Sequence, residues 1–192
     1  MKPVNKASRL YPVEQANSLD RFLRRAFQNP RKILKPYIRP GMTILDLGCG
    51  PGFFTIDIAE MLNGSGKVIA ADLQEGMLER VKTKIKGTRL ENIIELHRCE
   101  TDTIGVTTPV DFVLAFYMVH EVKNHLRLFE ELKSILHPEG IIFIVEPIFH
   151  VSDTVFEKMV SNLIKSGFEV IARPKVFLSR AVLLNETGMI ID

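Results

Sequence analysis

Ile44-Leu45-Asp46-Leu47-Gly48-Cys49-Gly50-Pro51-Gly52-Phe53-Phe54-Thr55 carries a short apolar run into a glycine-rich turn and then into a helical segment. Ile44, Leu45 and Leu47 are the unbroken apolar type expected of a strand buried on both faces. Glycine accepts backbone conformations that side chains resist, so Gly48, Gly50 and Gly52 predict a sharp turn that a ligand can approach closely. Their spacing is G-x-G-x-G. A dinucleotide-binding turn needs a third small residue where Phe53 stands, for close helix packing, and the nicotinamide reading loses ground accordingly.

Outward from this turn, apolar strands alternate with segments of helical periodicity. Ser18 can cap a helix carrying Leu19, Phe22, Leu23, Ala26 and Phe27, which Asn29-Pro30 stops; a second short helix is expected over 31–38. Strands are expected at 42–47, 67–71, 93–97, 110–116 and 141–146, with helices at 53–62, 74–86 and through Leu126, Phe129, Leu132 and Leu136. His137-Pro138-Glu139-Gly140 reads as the turn before the fifth strand, and Thr154 with Glu157 as a capping box for a helix ending at Ser166-Gly167. Strands joined by helical crossovers imply an α/β fold, a mainly parallel doubly wound sheet with helices on both faces. The last two strands, 168–172 and 176–184, are separated by Arg173-Pro174-Lys175 alone, too short for a crossover helix, so the seventh strand is expected to be antiparallel.

A chain of 192 residues with 46% hydrophobic content suits one buried core and is short for two. The reading is a helical segment over 1–40, one domain over 41–184 and a loosely held tail over 185–192. A net charge of +2 gives no field for a polyanion, and the basic stretches 21–25 and 82–86 fall on solvated helix faces, so no nucleic acid partner is expected. Cys49 and Cys99 belong to no metal-spaced cluster and read as reduced packing residues, so no metal is expected. No N-terminal apolar core has signal-peptide length and no run approaches the roughly 18 apolar residues of a membrane span, so a cytoplasmic protein without membrane contact is expected.

In such a sheet, ligands bind at the carboxyl ends of the strands near the switch in strand order. Asp72 closes the second strand about 20 residues after the glycines, where a carboxylate can accept hydrogen bonds from the ribose hydroxyls of an adenosine. Asp46 with the glycine turn, Asp72, and the run Asp111 to Val122 at the fourth strand together resemble class I S-adenosylmethionine-dependent methyltransferases over residues 41–147. The Leu136-to-Gly140 turn and the His after the fourth strand are similar to the small-molecule, quinone-biosynthesis-like branch, and the Asp/Asn-Pro-Pro-Tyr/Phe signature of many amino methyltransferases is missing.

The resemblance implies S-adenosylmethionine as cofactor, a small-molecule methyl acceptor, and a last strand inserted beside the fifth. It implies that Asp46, Gly48, Cys49, Gly50 and Gly52 lie against the amino-acid half of the cofactor, with carbonyls near Ala115 and Phe116. Asp72 with Leu73 would meet the ribose, and Glu100 with Thr101 the adenine. Catalysis then consists of aligning a nucleophile and excluding water. A hydroxyl acceptor needs a base, and His120 leads the candidates, ahead of Glu121 and Tyr117, with Glu146 and His150 also near the mouth. Each has a structural alternative: Tyr117 in the core, His120 as a helix cap, Glu121 in a first helical turn, His150 in a surface loop. The segment before the first strand, with Tyr11 and Tyr37, is a possible lid. A methyltransferase-like protein that binds cofactor or a partner without catalysis remains the alternative.

Overall fold

The computed structural model describes Arg25 and residues 27–187. Asn29 starts the first helix, α1 (Pro30–Leu34): its side chain accepts the Lys32 N–H at 3.2 Å, and Pro30 follows at the first helical position. Proline suits that position because its missing N–H has no intrahelical partner to lose. Helical backbone at Arg25 and Phe27 gives way to a bend at Gln28, so Asn29-Pro30 follows a helix end, as expected, and also begins α1. Ser18 and the helix it was expected to cap lie outside the described residues, apart from Arg25 and Phe27.

The elements that follow are β1 (Thr43–Leu47), α2 (Thr55–Met61), β2 (Lys67–Asp72), α3 (Glu75–Ile85), β3 (Ile94–Arg98), β4 (Val110–Phe116), α4 (His125–Ile135), β5 (Leu136–Pro147), α5 (Asp153–Lys165), β6 (Phe168–Ala172) and β7 (Ser179–Glu186). The seven strands form one sheet in the order β3-β2-β1-β4-β5-β7-β6. β1 through β5 pair in parallel, and β7 runs antiparallel to both β5 and β6. This is the expected doubly wound sheet, with its reversed strand inserted beside the fifth.

Strand alternation divides the core into two layers. On β4, Val113 and Ala115 pack with Phe129, Leu132, Phe156 and Val160 of α4 and α5. Phe112, Leu114 and Phe116 face the other way, against Leu34, Ile58, Leu78 and Val81 of α1, α2 and α3. Strand order reverses between β1 and β4, so their carboxyl ends flank an open crevice.

Three boundaries differ from expectation. Leu136 leaves α4 directly into β5, where Val110 pairs with Leu136 and Phe112 already pairs with Ile141. The expected 137–140 turn is therefore a bulge inside the strand. Gly140 is needed there, since a Cβ would stand 2.7 Å from the Leu136 side chain. Ser152, rather than Thr154, caps α5 by accepting the Val155 N–H, and the third helical position holds Val155 where a capping box needs Glu or Gln. β7 begins at Ser179 and extends through Glu186, so Asn185 and Glu186, read as tail, pair with Glu169 and Phe168. Residues 176–178 instead form a turn with Leu178 at φ +50°.

Candidate active site

A cavity of about 900 Å³ opens at the carboxyl ends of β1, β2 and β4. The glycine turn forms one wall, and its amides are committed within the protein. Gly48 and Cys49 donate to the Ala71 carbonyl at 2.8 and 3.0 Å, Gly50 donates to Asp72 Oδ2 at 2.8 Å, and Gly52 donates to the Cys49 carbonyl at 3.1 Å. Pro51 has no N–H. A pyrophosphate would need such donors free, and this loop offers none from residue 48 to residue 52.

Gly48 adopts φ +70°, and a Cβ there would lie 2.8 Å from that of Met118, so the loop can fold only without a side chain at this position. Gly52 does not border the cavity; a Cβ on it would stand 3.1 Å from Val81 of α3. It supplies the close helix approach that the sequence reading sought at Phe53. Committed amides, more than Phe53, therefore argue against a dinucleotide.

Asp46 and Asp72 hold this loop from two sides. Asp46 is buried and accepts the Thr55 hydroxyl at 2.6 Å, tying β1 to the first turn of α2. Asp72, only 8% exposed, accepts from Gly50 through Oδ2 and from the Gln74 N–H through Oδ1, each at 2.8 Å. A carboxylate has about four lone-pair sites, so acceptor capacity remains toward the cavity that Asp72 lines. Burial pushes its carboxyl above the ordinary range, and the Gln74 and Gly50 amides act against that rise.

Leu73, Cys49, Glu100, Thr101 and Phe116 line the cavity as well, whereas Ala115 lies one step below, fully buried between Leu47 and Ile144. Glu131 of α4 fixes the Glu100–Val106 loop, accepting the Thr103 hydroxyl and the Ile104 N–H at 2.8 Å each. Burial raises the Cys49 thiol strongly, and that of Cys99 is pushed up to about 12. Neither supplies a thiolate nucleophile.

The opposite wall follows β4. Tyr117 is held at φ +62° by donating its N–H to the Val145 carbonyl at 2.8 Å. Its hydroxyl meets Ser179 Oγ at 2.6 Å and the Gln28 amide nitrogen, so it serves to join three segments. His120 and Glu121 sit on a single 3-10 turn, Val119–Glu121, and Asn124 rather than His120 caps α4. His120 Nδ1 is hydrogen-bonded to Glu146 at the end of β5, and the hydrogen bond raises its pKa against the effect of burial. Burial also raises Glu121, opposed by the nearby His120. His150 packs edge-on to His120 with ring centroids 5.6 Å apart.

Several cavity residues escaped the sequence reading. Arg25 grips both oxygens of buried Asp57 at 2.9 and 2.8 Å, and Arg31 adds a third bond at 2.9 Å. Arg25, read as part of a solvated basic face, thus anchors its segment so that Phe27 and Gln28 become cavity wall. Phe27 stacks on Phe177 of the β6–β7 turn at 4.9 Å. Tyr37, expected in a lid, instead packs against Phe112 and Phe143 under the sheet, and Tyr11 lies outside the described residues. No local pattern marks Gln28 or Phe177, because both owe their place to contacts more than 60 positions away. No helix among the described residues is long and apolar enough to cross a membrane.

Comparison with known proteins places this geometry. The demethylmenaquinone methyltransferase of Lactococcus lactis is 31% identical over 136 residues, covering 69% of this chain and 54% of its own length. That of Oceanobacillus iheyensis is 24% identical over 153 residues, covering 76% of this chain and 64% of its own. The chain thus spans about half to two-thirds of these relatives. A solved S-adenosylmethionine-dependent methyltransferase from Aquifex aeolicus superposes with a TM-score of 0.78 at 25% identity, covering 91% of this chain and 98% of that one. A methyltransferase from Pyrococcus furiosus, 22% identical, has the same fold, with a TM-score of 0.68 over 89% of this chain and 95% of its own. The methyltransferase domain family model matches residues 38–176, and the chain belongs to that family.

Proposed function

We propose that this protein is an S-adenosylmethionine-dependent methyltransferase acting on a small molecule. The observation that carries the reading is the glycine turn with its amides committed, beside a buried Asp72 that keeps acceptor capacity. Such a site suits a ligand that offers hydroxyls and positive charge. The cavity's carboxylates, Asp46, Asp72, Glu100, Asp102, Glu121 and Glu131, outnumber its two lysines, which supports a cationic ligand over a pyrophosphate. When bound, the cofactor supplies a methyl group activated on a sulfonium, with the broken bond's electron pair left on sulfur.

The chain's residues would then do three things. Asp72 holds the ribose, while Asp46 fixes the loop that meets the amino-acid end. Phe27, Met118, Phe149, Phe177 and Leu178 offer an apolar rim for the acceptor, and Phe27, Phe149, Phe177 and Leu178, exposed in the structure, are the surface that a bound acceptor would cover. His120 accepts the proton that a hydroxyl acceptor must lose. The acceptor named for the Lactococcus relative is the first to try, in its reduced, hydroxyl-bearing form. The reading extends to the cytoplasm, where the free thiols of Cys49 and Cys99 stay reduced, with no nucleic acid partner.

Calorimetric titration with S-adenosylmethionine, S-adenosylhomocysteine and NADH tests the cofactor, and methyl transfer to reduced demethylmenaquinone above the rate of cofactor hydrolysis tests the activity. Micromolar binding of the adenosyl-sulfur pair alone is expected; binding of NADH alone would overturn the reading. A second reading, a cofactor- or partner-binding protein without turnover, draws on Tyr117, whose hydroxyl is already partnered. Cofactor binding without transfer to any acceptor would favour it.

A further inference from the structure

Glu146 ends the apolar run of β5 and is 1% exposed. Burying a carboxylate costs several kcal/mol unless its lone pairs are satisfied, so its partners show what the fold uses it for. Oε1 accepts the Val119 N–H at 2.9 Å and the His120 N–H at 3.3 Å, while Oε2 faces Nδ1 of the same His120. One buried carboxylate therefore holds both the backbone and the ring of the residue proposed as base. Glu146 does not line the cavity; His120 stands between it and the open space.

We infer that Glu146 is the positioning residue of His120, fixing the imidazole as the Nδ1–H tautomer so that Nε2 presents its lone pair to the acceptor. This rests on the proposal that the site methylates a hydroxyl-bearing acceptor. A carboxylate only accepts hydrogen bonds, so the nitrogen facing it carries the hydrogen, and a neutral imidazole has one hydrogen to place. During transfer to reduced demethylmenaquinone the acceptor's O–H bond breaks and its proton moves to Nε2; the electron pair left on oxygen forms a ring C=O, the displaced ring π pair takes the methyl group at carbon, and loss of that carbon's proton to solvent restores the aromatic ring. Glu146 then faces an imidazolium, whose positive charge it compensates in the low-dielectric wall. After the product leaves, the proton passes from Nε2 to solvent. The titratable groups around His120 are Glu146 from β5, Glu121 from its own turn and His150 from the segment after β5. Glu121 and His150 leave no hydrogen bond on the ring, so the tautomer is set by Glu146 alone among the described groups.

Glu146→Gln separates positioning from mere support. The amide oxygen can keep the two backbone N–H bonds, but the amide nitrogen offers hydrogens to Nδ1 and favours the opposite tautomer. With histidine labelled in nitrogen-15, two-bond nitrogen–proton spectra taken at a pH above the raised His120 pKa, where the ring is neutral, should show His120 as Nδ1–H in the native protein, identified by its loss in His120→Gln, and as Nε2–H in Glu146→Gln. His120 should titrate at lower pH in the variant. Affinity for S-adenosylhomocysteine should stay within twofold, and kcat on reduced demethylmenaquinone should fall about 100-fold, with KM within threefold. An Nε2–H tautomer in the native protein, or an unchanged tautomer and pKa in a folded variant, would overturn the inference. The native spectrum is decisive even if Glu146→Gln does not fold. Absent turnover in the native protein would sink the proposed function and leave the tautomer assignment to stand or fall on the spectra.

Discussion

Replacing Asp72 by Ala removes one carboxylate from two tasks that can be measured apart. Within the protein it accepts the Gly50 and Gln74 amides, both at 2.8 Å, and hydrogen bonds to a charged group contribute about 1.5–3 kcal/mol. Burial opposes this, since it holds the Asp72 carboxyl above its ordinary range and removal relieves that desolvation. The two effects act in opposite directions, and the unfolding free energy should change by about 1 kcal/mol. Toward the ligand there is no such offset. Loss of the ribose contacts should weaken cofactor binding by about 1.5–3 kcal/mol, roughly 10- to 150-fold in Kd. Titration calorimetry with S-adenosylhomocysteine and its 2′,3′-dideoxy analogue reads this directly. The native protein should discriminate strongly between the two and the Asp72→Ala variant hardly at all. Equal weakening of both ligands would mean that Asp72 acts only by shaping the glycine turn, and undiminished affinity would refute its role altogether.

Gly48→Ala should cost at least about 2 kcal/mol, from a left-handed backbone and a Cβ 2.8 Å from Met118, and lower Tm by about 5 °C or more. Gly50→Ala, equally left-handed at φ +53° but with nothing within 4 Å, should cost about 1 kcal/mol, and a melting curve compares the two. Tyr117→Phe should reduce stability by about 1 kcal/mol and leave kcat within about threefold, because the hydroxyl joins Gln28 and Ser179; a hundredfold loss of kcat would restore Tyr117 as a proton carrier. His120 has a pKa raised above 6.5, so the fold favours its protonated form. The stability it contributes is full below pH 6.5 and is lost as pH rises through the raised value, and denaturant titrations across that window should show a slope that His120→Gln removes.

Much of this site was legible because the relevant chemistry is local in sequence. Gly48, Gly50 and Asp72 stand at strand ends, and strand ends can be located from apolar runs bounded by breakers. Turns were harder. The 137–140 segment reads as a turn whether it ends a helix or arches out of a strand, and only the pairing of Val110 with Leu136 distinguishes the two. Gly52 was read as lining the site, but a glycine shows only that space is short, and the neighbour that fills that space, Val81, comes from another helix.

By itself the sequence determined the alternating α/β architecture and the reversed seventh strand, since each follows from periodicity or from a connection too short for a helix, and it marked the glycine turn that the structure places on the cavity wall. Tertiary structure alone decided which groups meet across that turn. Arg25 reaches Asp57 across 32 positions, Gln28 reaches Tyr117 across 89, and Glu146 reaches His120 across 26. Partnerships of that kind depend on strand order, which brings β4 between β1 and β5, and no local propensity encodes strand order.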